Sequence, residues 1–150
     1  MREDKVFEEK VIEVSRVSRT VKGGKRISFR ALVIVGDKVS KVGMGLGKAT
    51  DVSVSIRKAS DAAKKHMEKI TITEQGTIER EVVVNINSAK ILLKPAPEGT
   101  SIIAGGVVRS VCELSGVRNL VSKSFGSNNK INIARATIGA LLKSAVGKND

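Results

Sequence analysis

The sequence predicts an α+β protein of two small domains, a βββα unit over residues 1–74 and a strand-rich αβα unit over residues 75–150. Three observations carry that prediction. β-Branched runs of strand length crowd the first third of the chain, Ile27 to Val35 being the strongest. Two later segments place apolar residues three or four apart, as a helical face does: Val52, Ile56, Ala59, Ala63, Met67 and Ile70, then Ala134, Ile138, Leu141 and Ala145. Between them, Glu74-Gln-Gly-Thr77 is a polar turn and the best domain boundary.

Each element follows in order. Glu8 to Thr20 reads as a strand, with Val11, Val14 and Val17 among charged residues. Ile27 to Val35 is the second strand, and Gly36-Asp37 marks a turn. Val39 to Met44 is a short third strand, from which Gly43-Met-Gly-Leu-Gly-Lys48 leads towards a helix. Thr50 or Asp51 can cap that helix, which the periodicity carries from Val52 to Ile70. In the second unit, Thr77 to Lys94 supplies one or two strands, including Val82 to Val84 and Ile91 to Leu93, and Pro95 to Gly99 is a rigid loop. A helix starts near Gly105 and stops at Gly116. Leu120 to Ser124 is a short strand, Ser127 to Asn129 a turn, and the last helix follows.

Composition narrows the function. Hydrophobic content is 41%, enough for a real core. Net charge is +12, which self-repels until a polyanion neutralises it. Residues 1–70 carry 17 basic and 9 acidic side chains against 10 and 6 in residues 71–150, so the first half is the polyanion face. A membrane is disfavoured, because no apolar run approaches about 20 residues and no apolar signal core follows Met1. The single cysteine, Cys112, excludes an internal disulfide and fits a reducing cytoplasm. One His and one Cys make no zinc site, and no cofactor or metal is expected. Only three aromatic residues exist, Phe7, Phe29 and Phe125, too few for the stacking platforms of single-strand binders. Folded, double-helical RNA, read by backbone and shape, needs no such platform.

The segment Arg16 to Arg30 is where the charge concentrates. It holds Arg16, Arg19, Lys22, Lys25, Arg26 and Arg30, no acidic residue, and the pair Gly23-Gly24 at its centre. The pattern predicts two strands joined by a cationic tip whose glycines let the backbone approach a phosphate chain closely. Lys48, Arg57 and Lys58 extend the candidate RNA contact. Gly43-x-Gly45-x-Gly47-Lys48 is not a nucleotide loop: Val42 stands at the first glycine of the phosphate-loop pattern, Ala49 at its hydroxyl, and Lys48 at the third glycine of the dinucleotide pattern. Close packing of strand, loop and helix explains these glycines better. His66 has no catalytic partner, and Cys112, between Val111 and Leu114, reads as a buried thiol. Gly105-Gly106 either offers helix amides to phosphate or packs tightly. Nothing points to an enzyme.

Taken together, Val17-Ser-Arg-Thr-Val-Lys-Gly-Gly-Lys-Arg-Ile-Ser-Phe29, Ala31 to Asp37, Val42 to Ala49, Leu93-Lys-Pro-Ala-Pro-Glu-Gly-Thr100, Ile102-Ile-Ala-Gly-Gly106 and Gly126-Ser-Asn-Asn129 resemble, in order, the bacterial form of small-subunit ribosomal protein five. The resemblance implies an N-terminal domain similar to the double-stranded-RNA-binding fold and a C-terminal α/β domain with a left-handed βαβ crossover. It implies a cytoplasmic, structural place in the small ribosomal subunit. The partners it implies are small-subunit ribosomal RNA and ribosomal proteins four and eight, without self-association. It further implies that the Lys22–Arg26 loop lies near the spectinomycin site, and that Ser101 and Arg109 belong to a protein interface that influences decoding accuracy. Four departures stand out. Ser40 and Ser101 occupy positions where glycine is usual, Met44 and Leu46 replace aromatic residues, and the chain ends soon after the last helix. The main rival is a free-standing double-stranded-RNA-binding regulator, which leaves the C-terminal half without a task. A small-molecule kinase of related fold fails on the missing phosphate loop.

Overall fold

Two four-stranded sheets organise the chain. The structure, a computed structural model, describes residues 7–126 and 128–144. The first sheet is antiparallel and ordered β1 (Glu8–Val21), β2 (Gly24–Gly36), β3 (Lys41–Ala49), β4 (Glu68–Lys69), with α1 (Val52–Lys65) between the last two. The second contains β5 (Val82–Ile86), β6 (Ala89–Pro95), β7 (Ile102–Ile103) and β8 (Leu120–Gly126), in the order β5-β6-β8-β7. Helix α2 (Gly106–Ser115) connects β7 to β8, which run parallel, and α3 (Lys130–Lys143) follows. Ser127 of the expected turn and Ala145 of the expected last helix lie outside the described residues.

β2 explains why the two units are packed together. Ala31 to Val35 is buried without interruption, 2% exposed at most. A strand shows alternate residues to opposite faces, so a continuous buried run must be covered on both. Ala31, Val33 and Val35 pack against Ala59 and Ala63 of α1. Ile34 faces the other way and shares a cluster with Val111 and Leu114 of α2 and with Leu120 and Leu141. The second domain therefore supplies half the cover of the first domain's sheet. The closest approach is at Gly36, where a Cβ would lie 2.5 Å from the Leu114 carbonyl carbon. Lys38 N–H donates to the Leu114 carbonyl at 2.9 Å nearby.

Two expectations are corrected, and two short strands are added to them. The third strand does not stop at Met44; β3 runs on to Ala49, so the glycine motif is strand rather than a loop into a helix. Gly43, Gly45 and Gly47 point one way, towards Ala63, Ala59 and Ser55 of α1. Two residues of strand advance about 6.6 Å and four of helix about 6.0 Å, so alternate glycines meet every fourth helical residue. Next, α1 ends at Lys65 and not at Ile70. Met67 and Ile70 are still covered, because Glu68–Lys69 pairs with Lys41–Val42 and Ile70 N–H donates to the Ser40 carbonyl at 2.7 Å. Finally, Ile102–Ile103 forms a strand that no periodicity can announce in two residues. Asp51 does occupy the N-cap position of α1, but its side chain makes no capping bond there. By contrast, the Asn129 side chain accepts from Ile131 N–H at 3.0 Å and caps α3, and Gly116 ends α2 in the left-handed conformation.

The β2–β3 turn shows how Ser40 is accommodated. One Asp37 carboxylate oxygen accepts from the Val39, Ser40 and Lys41 amides, each at 2.9 Å. Lys38, at φ +60°, takes the left-handed position. Burial raises the Asp37 pKa, but the amides of Lys41, Ser40 and Val39 outweigh it, and the net value falls below the ordinary 3.8. A lowered folded pKa contributes stability above the unfolded value, which disappears as pH falls through the folded one. Asp37→Asn is therefore expected to be less stable than the parent at pH 6, with the gap closing below about pH 4. Thermal melts across pH 2–7 check this; a constant gap would contradict it.

Candidate nucleic-acid interface

The β1–β2 hairpin closes over Lys22 and Gly23, with Val21 paired to Gly24. Gly23 (φ +96°) and Gly24 (φ +153°) lie where L side chains are rarely found, and a Cβ on either would meet nothing within 4 Å. Glycine is thus needed for the backbone path and leaves the tip open to a partner.

Strand register sorts the cations into two faces. Arg19 stands directly opposite Arg26, and Arg30 opposite Lys48. Alternation puts these four on the sheet face that Ile34 shares farther along β2. Arg16, paired with Phe29, lies on the α1 face together with Lys25. Lys22 is at the tip. Arg57 and Lys58 are on α1, where Lys58 Nζ donates to the Lys48 carbonyl at 3.3 Å and ties helix to strand end. All nine are exposed. None of them takes part in an ion pair among the described residues, where the pairs are Lys38–Glu8, Lys94–Glu81, Arg109–Glu113 and Lys130–Glu13. Like charges directly opposed across a ladder are destabilising. Two such pairs, outside every described ion pair, suit a surface completed by phosphate.

The second candidate region is held differently. Ser101 adopts φ +71°, a conformation that glycine takes without strain, which is the physical sense of a glycine preference there. Asn119, 5% exposed, fixes it. Its side-chain oxygen accepts from Gly99 N–H at 3.1 Å and Ser101 N–H at 3.0 Å, and its amide donates to the Gln75 carbonyl at 2.7 Å. Asn119 thereby joins the inter-domain segment to the Ser101 loop. Sequence reasoning missed it, since one Asn between Arg118 and Leu120 has no spacing signal. Arg109 is exposed and pairs within α2, its Nε 3.0 Å from Glu113 Oε1. Gly105 and Gly106 are exposed, and a Cβ on either meets nothing within 4 Å, so the tight-packing explanation fails.

Other chemistry has little support. Cys112 is fully buried and its thiol is pushed up to about 12, first by desolvation and then by Glu113, so it stays protonated at neutral pH. His66 is exposed at the end of α1. Among the described residues no three His, Cys, Asp or Glu side chains gather to hold a metal ion, and no helix is long and apolar enough to cross a membrane.

Known proteins share much of this sequence. Residues 7–71 match the N-terminal domain of ribosomal protein S5, and residues 84–145 match its C-terminal domain. The small ribosomal subunit protein uS5 of Thermotoga maritima is 51% identical over 135 residues, covering 90% of this chain and 75% of that protein. That of Acidithiobacillus ferrooxidans is 49% identical over 137 residues, 91% of this chain and 78% of its own. That of a Picosynechococcus species is 47% identical over 135 residues, 90% and 78%. With both domain matches in order and half the residues shared, the chain belongs to the ribosomal protein S5 family, structural and non-enzymatic components of the small ribosomal subunit.

Proposed function

We propose that this chain binds small-subunit ribosomal RNA through Arg16, Arg19, Lys22, Gly23, Gly24, Lys25, Arg26, Arg30, Lys48, Arg57 and Lys58. The carrying observation is the set of nine exposed cations on the hairpin, the end of β3 and α1, outside every described ion pair, with Arg19 facing Arg26 and Arg30 facing Lys48. Phosphates offset that repulsion where RNA helices converge. Ribosomal proteins four and eight are its protein neighbours in this reading, protein four being met through the segment that holds Ser101 and Arg109. The division at residues 74 and 75 falls between Lys69 and Val82, where neither sheet has a strand. The test is sedimentation: the chain should remain with small subunits through a high-salt wash. Release at moderate salt would favour the free-standing RNA-binding regulator, a reading that the shared core of Ile34, Leu114 and Leu141 already makes less economical.

Accuracy is the second part of the proposal. Arg109 can exchange its exposed partner Glu113 for a carboxylate on a neighbouring protein, keeping the planar charge-assisted geometry. An exposed i,i+4 pair contributes only about 0.3–0.5 kcal/mol, so its loss leaves the fold intact. Arg109→Leu is expected to change misreading of a reporter stop codon several-fold while subunit assembly proceeds normally. Unchanged fidelity in normally assembled subunits would reject the role, and failed assembly would make Arg109 structural.

A further inference from the structure

Ser101 is held in a conformation that serine does not choose for itself. At φ +71° its Cβ crowds its own backbone, a geometry that glycine takes freely and that other residues leave when nothing restrains them. Both of its backbone groups are restrained from one short segment. Asn119 Oδ1 accepts from Ser101 N–H at 3.0 Å, and the Ser101 carbonyl accepts from Leu120 N–H at 3.1 Å. The same Oδ1 accepts from Gly99 N–H at 3.1 Å, so both of its lone-pair directions are used. Immediately afterwards Ile102 and Ile103 pair with Leu120 and Val121 as β7, and α2 begins at Gly106. The conformation of Ser101 therefore sets how the chain enters β7 and, beyond it, the helix that carries Arg109.

Asn119 is fixed in turn from its other side. Its Nδ2 donates to the Gln75 carbonyl at 2.7 Å. Its own N–H and that of Arg118 donate to the Gly76 carbonyl at 2.9 and 2.7 Å, and Arg118 Nη2 donates to the Glu74 carbonyl at 3.1 Å. Reversing the Asn119 amide would turn its nitrogen towards two N–H groups and its oxygen towards a carbonyl, so these partners dictate its orientation. The inter-domain segment that supplies the carbonyls is a closed turn. Gly76 N–H donates to the Thr73 carbonyl at 2.9 Å and Thr73 N–H to the Thr77 carbonyl at 2.8 Å, while Ile70 and Ile78 on either side are buried. A separate bond, from Ala96 N–H to Thr77 Oγ1 at 3.1 Å, ties the start of the Pro95–Ser101 loop to the same turn. One buried side chain thus has the Ser101 loop on its acceptor and the segment between the domains on its donor. We propose that Asn119 is the positioning residue of the Ser101 segment: it keeps Ser101 left-handed and refers that loop to the seated inter-domain turn, so that the surface offered to ribosomal protein four has one geometry. Without it, Ser101 relaxes towards negative φ and its carbonyl leaves Leu120. The consequence for decoding rests on the accuracy reading proposed above; the positioning itself does not.

The experiment is a double-mutant cycle of Asn119→Ala and Ser101→Gly in the full chain. It is read by amide hydrogen exchange at Leu120, whose N–H reports the place of the Ser101 carbonyl, and by misreading of a reporter stop codon in small subunits that carry each variant. Loss of the two acceptor bonds should speed Leu120 exchange about tenfold or more in Asn119→Ala. In the Ser101→Gly background the same change should speed it about threefold or less, because glycine populates positive φ as readily as negative. Misreading should shift several-fold with Asn119→Ala, in the direction that Arg109→Leu gives, and less in the Ser101→Gly background. Circular dichroism verifies that the fold persists. An Asn119 that merely supported the fold would cost the same in both backgrounds. That additivity, unchanged Leu120 protection, or parental fidelity where Arg109→Leu does shift it would each overturn the proposal. If Arg109→Leu also leaves fidelity at the parental value, the accuracy reading falls, and the exchange cycle alone decides the positioning. Should Asn119→Ala fail to fold, Gly76→Ala approaches from the inter-domain side. At φ +79° an alanine is strained, and its Cβ would lie 3.0 Å from Arg118 Cβ, so the turn lifts from Asn119. Leu120 exchange should then quicken as well, and parental protection in that variant would overturn the proposal.

Discussion

Gly45→Val is expected to destabilise the protein by more than about 3 kcal/mol, enough to unfold a marginal domain at physiological temperature. A Cβ at residue 45 would lie 2.5 Å from Ala63 N and closer still to the Ala59 carbonyl oxygen. Both are backbone atoms of α1, so no rotamer change relieves the overlap. Either the helix lifts off the sheet or the strand bends, and each uncovers Ala31, Val33 and Val35. Ordinary overpacking costs about 1–3 kcal/mol when side chains can yield; here the obstacle is a helix backbone. Gly105→Ala is the control. A Cβ there meets nothing within 4 Å, and only an N-cap preference of about 1 kcal/mol is at stake. Urea denaturation followed by circular dichroism separates them, and a Gly45→Val midpoint equal to the parent's would refute the close-packing account.

Replacing Lys22, Lys25 and Arg26 together by alanine is expected to weaken binding to a small-subunit RNA fragment about 100-fold at 0.15 M salt. Each phosphate contact releases roughly 0.9 counterions on a duplex, so three contacts make the log–log salt slope shallower by about 2 to 3. The deficit should shrink towards 1 M salt, where counterion release supplies no driving force. The three side chains are exposed and outside the described ion pairs, so stability should not change. Single variants add direction. Lys25 lies on the α1 face and Arg26 on the opposite one, so the larger loss identifies the face that meets RNA. Filter binding over a salt series reads slope and affinity together. An unchanged slope would remove the hairpin from the RNA contact.

Much of this molecule was legible from local pattern. Short β-branched and aliphatic runs announced β1, β2 and β8 and one or two strands where β5 and β6 lie, and the three-four spacing announced α1 and α3. Gly116 and the Arg16–Arg30 cluster carried their own chemistry, because a helix stop and a cationic hairpin depend on residues adjacent in sequence. The boundaries that failed are those set by partners far along the chain. β7 exists because β8 pairs with it, and α1 stops at Lys65 because Glu68–Lys69 pairs with Lys41–Val42. The Gly43-Gly45-Gly47 motif shows both sides of the divide. Its alternation, matched by Ser55, Ala59 and Ala63 four apart, was present in the letters. That the two series meet required the helix to fold back on the strand.

What the sequence by itself determined, then, was the α+β class, the order of the main elements, and a cationic hairpin with two glycines at its tip. Charge count, periodicity and turn chemistry are sums over neighbours in the chain, so they survive without a fold. Tertiary structure alone decided that both domains share one core through β2, that Asn119 holds the Ser101 loop to the inter-domain segment, and which cations share a face. Those facts depend on register and on hydrogen bonds such as the one from Ser101 to Asn119, 18 residues apart. A one-residue slip in β2 would send Arg26 to the α1 face and Lys25 to the other, with composition unchanged.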